Sequence, residues 1–185
     1  GDVVTLAQFI AQSESGEERK RVERAKLDAL LGYAEIATCR RRHLLGYFGE
    51  KVEKNNCGNC DNCLSPPVAF DGTELAQKAL SCVYRTGQRY GVGHLTNVLR
   101  GVDDERVRSL AHDRLSVFGI GAGLDERQWR AIFRQLVANG LLATDADGYG
   151  VLRLTQSARG VLRGETRVSL RKPASREERR VTRKA

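Results

Sequence analysis

Four cysteines, Cys39, Cys57, Cys60 and Cys63, are spaced Cys-x17-Cys-x2-Cys-x2-Cys. Two consecutive x2 spacings let three sulfurs turn toward one point, and a remote fourth can close a tetrahedron around it. Asn55, Asn56, Gly58, Asn59 and Asn62 supply the tight turns that such a knuckle needs. A closed four-thiolate set is a structural zinc site, with Zn–S bonds of about 2.3 Å and no position left open for a substrate. The chemistry is therefore that of a clamp.

Two rival uses of the same cysteines stand beside zinc. A cubane iron–sulfur cluster also takes three close cysteines and a distant one, and the colour of the protein separates the two. Disulfides fit poorly: five cysteines is an odd number, and neither an apolar signal segment nor a transmembrane run is present. Reduced thiols place the chain in the cytosol, not among secreted proteins or in a membrane. Cys82, in the apolar run Ala79-Leu80-Ser81-Cys82-Val83, reads as a small core residue.

The elements that must position these ligands begin with a short helical pattern from Val3 to Gln12, ended by a turn at Ser13–Gly16. A long helix follows, with Val22, Ala25, Leu27, Leu30, Leu31, Ala34 and Ile36 at helical spacings. Two helices joined by so short a loop are expected to pack antiparallel. The second is expected to continue through Cys39 to Gly46, making Cys39 a helical ligand. Leu64-Ser65-Pro66-Pro67 stiffens the chain and marks the best domain boundary.

Beyond it the pattern predicts helices from Asp71-Gly72-Thr73 to Thr86-Gly87, over 92–99, from Asp103-Asp104 through Leu115, and over 125–139. A β-hairpin follows, Leu141–Thr144 and Tyr149–Leu154, with Asp147-Gly148 in its turn. Thr155 is expected to cap a last short helix. Helices followed by a hairpin form the order of a winged helix, a helix-turn-helix variant. The fold class expected is mainly α with a small β-hairpin: an antiparallel helical hairpin with a zinc knuckle (1–65), then a winged helix (68–170).

Net charge is +8, but residues 171–185 hold seven basic and two acidic side chains, which leaves +3 for the rest. That tail reads as a flexible basic linker, and any basic face on the folded body must be local. The chain has no methionine and opens directly into an amphipathic pattern, so it is expected to be a piece of something longer. Phosphate-loop, dinucleotide-binding and His-Glu-x-x-His motifs are missing from the sequence. With three histidines and no Ser/His/Asp or Cys/His set, no catalytic residues are assigned.

Several stretches together resemble one family. Thr38-Cys39-Arg40-Arg41, Tyr47-Phe48-Gly49-Glu50 and Cys57-Gly58-Asn59-Cys60-Asp61-Asn62-Cys63 are similar to the zinc-binding region of RecQ-type DNA helicases. Asp71-Gly72-Thr73, Leu99-Arg100-Gly101, His112-Asp113, Phe118-Gly119-Ile120-Gly121 and Arg134-Gln135-Leu136 resemble the winged-helix part of the same region. The resemblance runs collinearly over about residues 1 to 170. It implies an accessory module of an ATP-dependent 3′–5′ DNA helicase in repair and recombination, gripping double-stranded and forked DNA through its backbone. ATP and magnesium would then belong to RecA-like motor lobes absent from this chain. The implied setting is the bacterial nucleoid, and other repair proteins are implied as partners.

By position, the resemblance assigns DNA contacts to Arg100, Gly101, Arg106 and Arg130. Tyr149 could stack on a base pair as part of a strand-separating wedge, or be a strand residue covering the core. Asp103, Asp104 and Glu105 dilute the basic patch, and exposed arginines also solvate helix faces without binding anything. On a helix Arg40, Arg41 and Arg42 point to different faces, so at most one or two can meet a phosphate run. The competing class is a protein-interaction winged helix on a zinc scaffold, since the fold alone does not settle function.

Overall fold

The computed structural model describes residues 2–144 and 150–172. The expected wing tip, with Tyr149, and the tail beyond Lys172 lie outside the described residues.

Helix α1 (Asp2–Gln12) packs on α2 (Glu17–Glu35), as the short connection requires. The second helix ends at Glu35, eleven residues short of the expected end at Gly46. Ile36 turns extended at φ −62° and ψ 148°, and a new helix, α3 (Arg40–Tyr47), starts after Cys39. Cys39 is thus a capping residue between two helices, not a residue within one. Burial explains the break. Ile36 is 1% exposed, and the extended step at 36–39 turns both it and Cys39 inward. The single turn α4 (Asp61–Leu64) completes this half.

The second half opens on β1 (Ala69–Asp71), followed by α5 (Thr73–Arg85), α6 (Val92–Arg100) and the five-residue α7 (Glu105–Ser109). The single helix expected from Asp103 to Leu115 is broken. Ala111 sits in the left-handed region at φ 55°, and His112–Arg114 form a separate 3-10 turn. Next come α8 (Glu126–Ala138), β2 (Leu142–Thr144), β3 (Leu152–Leu154), α9 (Ala158–Leu162) and β4 (Ser169–Arg171). Asp125 and Gln128 form a reciprocal capping box that fixes the start of α8.

β2 and β3 pair antiparallel, Leu142 opposite Leu154, which is the expected hairpin. A second pairing was not anticipated. β1 and β4 run antiparallel with Phe70 opposite Leu170, joining the two ends of the winged helix. Arg171 therefore belongs to a strand, not to a flexible tail. Thr155 does not cap α9; Ser157 precedes that helix, and the Thr155 hydroxyl donates to the Gly140 carbonyl at 2.6 Å.

The core lies in this half. Trp129, Ile132, Phe133 and Leu136, at helical spacings on α8, are all 0% exposed. They meet Ala76, Ala79, Leu80 and Val83 of α5 and Leu95, Val98 and Leu99 of α6. Cys82 is buried with them, as expected, and burial pushes its thiol up to about 12. Helix α2 packs along α8. A side chain at Gly32 would come 3.3 Å from the Arg134 carbonyl oxygen, so glycine permits the close approach. Arg134 closes the seam with a two-pronged ion pair to Glu35, at 2.6 and 3.0 Å.

Candidate metal centre and nucleic-acid interface

The four cysteine sulfurs converge, all within 4.8 Å of one another. Cys39 comes from the N-cap of α3, Cys57 from the asparagine-rich loop, Cys60 from the N-cap of α4 and Cys63 from α4 itself. The Cys57 and Cys63 sulfurs are 3.9 Å apart. A tetrahedron with bonds of about 2.3 Å has edges of about 3.8 Å, so the cluster has the size of a four-thiolate zinc site.

Backbone amides donate to two of the sulfurs. The Arg42 amide donates to Cys39 Sγ at 3.5 Å and the Cys60 amide to Cys57 Sγ at 3.3 Å. Burial opposes the Cys60 thiolate, but the Arg40 amide and the neighbouring thiols outweigh it and bring that thiol down to about 6. At Cys63 a hydrogen bond involving Cys57 favours the thiolate, but burial and the three other thiols prevail and raise it to about 11. Thiols this close cannot all ionise together unless a cation joins them.

Asn62 is the supporting residue that the spacing alone did not reveal. It is 7% exposed, and its side-chain amide donates to the Ile36 and Thr38 carbonyls at 2.9 and 2.8 Å. It thereby ties the extended step, and so Cys39, to α4. Arg40 adds a second tie, to Asp61 at 2.6 Å and to the Tyr33 carbonyl at 2.6 Å. Its guanidinium holds the Asp61 carboxyl below the usual carboxylate range. Arg42 bonds Asn55 at 2.5 Å. Two of the three consecutive arginines thus brace the knuckle, and Arg41 is exposed.

The residues expected at DNA fall into two places. Arg100 ends α6, Gly101 follows it in the left-handed conformation, and Arg106 lies exposed in the first turn of α7. Gly101 has a packing reason of its own. A side chain there would come 3.1 Å from the Gly119 Cα, at a φ of 68° that also favours glycine. The start of α7 is already occupied, because Asp104 accepts from the Val107 amide at 2.8 Å. Arg130 stands apart from this group, over Gly93 near the other end of α6, and pairs with Glu126 at 2.8 Å.

Comparison with known proteins places this geometry. The RecQ zinc-binding family matches residues 1–64, and the RQC domain family matches residues 66–179. The chain is 42% identical over 156 residues to an ATP-dependent DNA helicase RecQ of Pasteurella multocida, covering 84% of this chain and 24% of that relative. It is 39% identical to the Haemophilus influenzae ATP-dependent DNA helicase RecQ, covering 84% of this chain and 25% of that protein. Against the Bacillus subtilis ATP-dependent DNA helicase RecQ it is 28% identical over 166 residues, 90% of this chain and 28% of the relative. The chain thus spans about a quarter of the length of these relatives. Among the described residues no helix is long and apolar enough to cross a membrane. With four convergent thiols in the first matched region and a winged helix in the second, the chain belongs to the RecQ family, as its zinc-binding and RQC region.

Proposed function

We propose that this chain is the DNA-gripping accessory module of an ATP-dependent 3′–5′ DNA helicase that works in repair and recombination. The observation that carries the reading is the placement of Arg100 at the end of α6 and of Arg106, exposed, on α7, the helix that follows, in a winged helix that packs against a four-thiolate knuckle half. Arginines on short, well-anchored elements suit phosphate contact, which fixes orientation on a duplex without reading its sequence. The module would hold double-stranded or forked DNA by its backbone. ATP and magnesium would be handled by RecA-like motor lobes of the same protein, and the bacterial nucleoid would be its place of work.

Zinc would serve the fold alone, with Cys39, Cys57, Cys60 and Cys63 as ligands. The boundary at residues 65–68 would separate two units that rest on each other through α2 and α8. Arg130 is the weakest of the four expected contacts, since Glu126 already engages it.

Binding to single-stranded, duplex and forked DNA at two salt concentrations tests the reading. Affinity is expected to fall steeply with salt and to depend little on sequence. Arg106→Ala is expected to weaken binding severalfold and to lower the salt slope by about 1. Affinity that stays flat as salt rises would overturn backbone gripping. Loss of all DNA binding alongside capture of a repair protein would favour a protein-interaction module instead.

A further inference from the structure

Helix α7 has five residues, far too few to hold itself together. What fixes it is α6. Asn97 on α6 donates to Asp104, the residue just before α7, at 2.9 Å. One turn earlier on the same helix, His94 Nε2 meets His112 Nδ1 at 2.8 Å, and His112 lies just beyond the other end of α7. Residues 94 and 97 share a helix face, so one face of α6 holds both ends of α7. Between the two ties, Val107 is 0% exposed and Arg106 points outward, exposed.

The histidine tie is built, not incidental. His94 and His112 are 9% and 8% exposed, and the Tyr90 ring lies 4.5 Å from one and 5.0 Å from the other. Ala111 takes up the left-handed conformation immediately before His112, an uncommon backbone for a residue with a side chain.

We propose that the His94–His112 pair is a positioning element for DNA contact, holding the C-terminal end of α7 so that Arg106 is presented to a phosphate. The proposal rests on the DNA-gripping reading above. It carries a chemical signature. One N–H between the two nitrogens makes the bond, and the pair still holds after taking up a first proton at an outer nitrogen. A second proton leaves two N–H groups facing each other and the tie opens.

The charged and titratable groups facing the pair are Arg106 on α7, Asp104 before it, Asp113 on the 3-10 turn, and Tyr90 before α6. Burial, then His112 and Arg106, hold His94 below the ordinary imidazole range against the pull of Asp104. Burial lowers His112 as well, against Asp113. Because the folded values lie below the unfolded value of about 6.5, the tie is intact above that pH, survives the first protonation, and is lost as pH falls through the second, lower folded value.

General electrostatics predicts the opposite for DNA, since acid makes the protein more positive and binding tighter. The experiment is duplex affinity of the wild type and His112→Asn at about pH 7.5 and about pH 5.5. The asparagine amide carries its polar atoms on Cγ, as the ring carries Nδ1, so it can still bond His94 but has no titratable ring. Wild type is expected to bind about fivefold more weakly at the lower pH, the order of one lost solvent-exposed ion pair. His112→Asn is expected not to weaken as pH falls between the two values. Zinc lost in acid would affect both proteins alike, so the difference between them belongs to the pair.

Wild type tightening with acid as the variant does would overturn the proposal. NMR titration of the imidazole nitrogens in the free protein tests the pair without DNA. Both rings are expected to titrate below the free value, and two independent titrations near 6.5 would also overturn it. If Arg106→Ala bound DNA as tightly as wild type, the gripping reading would fail while the titration still judged the pair.

Discussion

The two halves of this chain are ordered by different physics. Among residues 5–65 the buried ones are Gly32, Ile36, Cys39 and Asn62, a set with one large apolar side chain. The winged helix buries a continuous cluster from Ala76 to Leu170 that includes Trp129, Phe133 and several leucines. Apolar area removed from water stabilises the second half. The first has too little of it and relies on converging thiols, the Asn62 and Arg40 ties, and the seam along α8. The contrast teaches that a similar length of chain can be fixed by coordination or by burial.

Removing the metal breaks the comparison most directly. Chelation or Cys60→Ser should cost the first half on the order of 10 kcal/mol of coupled folding and binding energy. Circular dichroism and limited proteolysis are expected to show residues 2–65 melting while the winged helix stays folded. Equal loss in both halves would mean that they are one cooperative unit.

The converse change is Phe133→Ala, which should destabilise the winged helix by about 3–5 kcal/mol and lower its Tm, with zinc still bound. Zinc release by this variant at moderate temperature would argue that the core, not the thiols, organises the first half.

The seam gives smaller effects. Gly32→Val should push α2 away from α8 at a cost of about 1–3 kcal/mol, seen as faster amide exchange along α2. Unchanged exchange would show that the close approach at Arg134 is dispensable. Smallest is the coupling between Glu35 and Arg134, about 0.5–1 kcal/mol in a double-mutant cycle for a half-buried pair. A coupling near zero would leave packing alone as the link between the halves.

Much of this was legible in the sequence, for reasons that can be named. The thiol cluster follows from spacing, and α5, α6 and α8 follow from strong apolar periodicity with clear end signals such as Gly101 and Gly140. The break at Ile36–Cys39 was not legible, because apolar residues keep a helical period through it, and the burial that turns Ile36 inward is held by an asparagine 26 positions away. Helix α7 was overextended because Ala111 gives no local sign of a left-handed backbone. Three-residue strands such as β1 and β4 carry too little pattern to be paired across 100 residues. The His94–His112 contact left no signal beyond the presence of two histidines.

The pairing of β1 with β4 has a mechanical consequence. The chain enters the winged helix at Ala69 directly opposite the point where it leaves, at Arg171. Whatever precedes and follows the domain is therefore attached at one corner of it. Tension along the chain would load the short ladder from its open end, peeling Ala69 from Arg171 first and then Phe70 from Leu170, one rung at a time. A ladder loaded in this way yields at low force, so the corner would act as a fuse that opens before the core around Trp129 feels the pull.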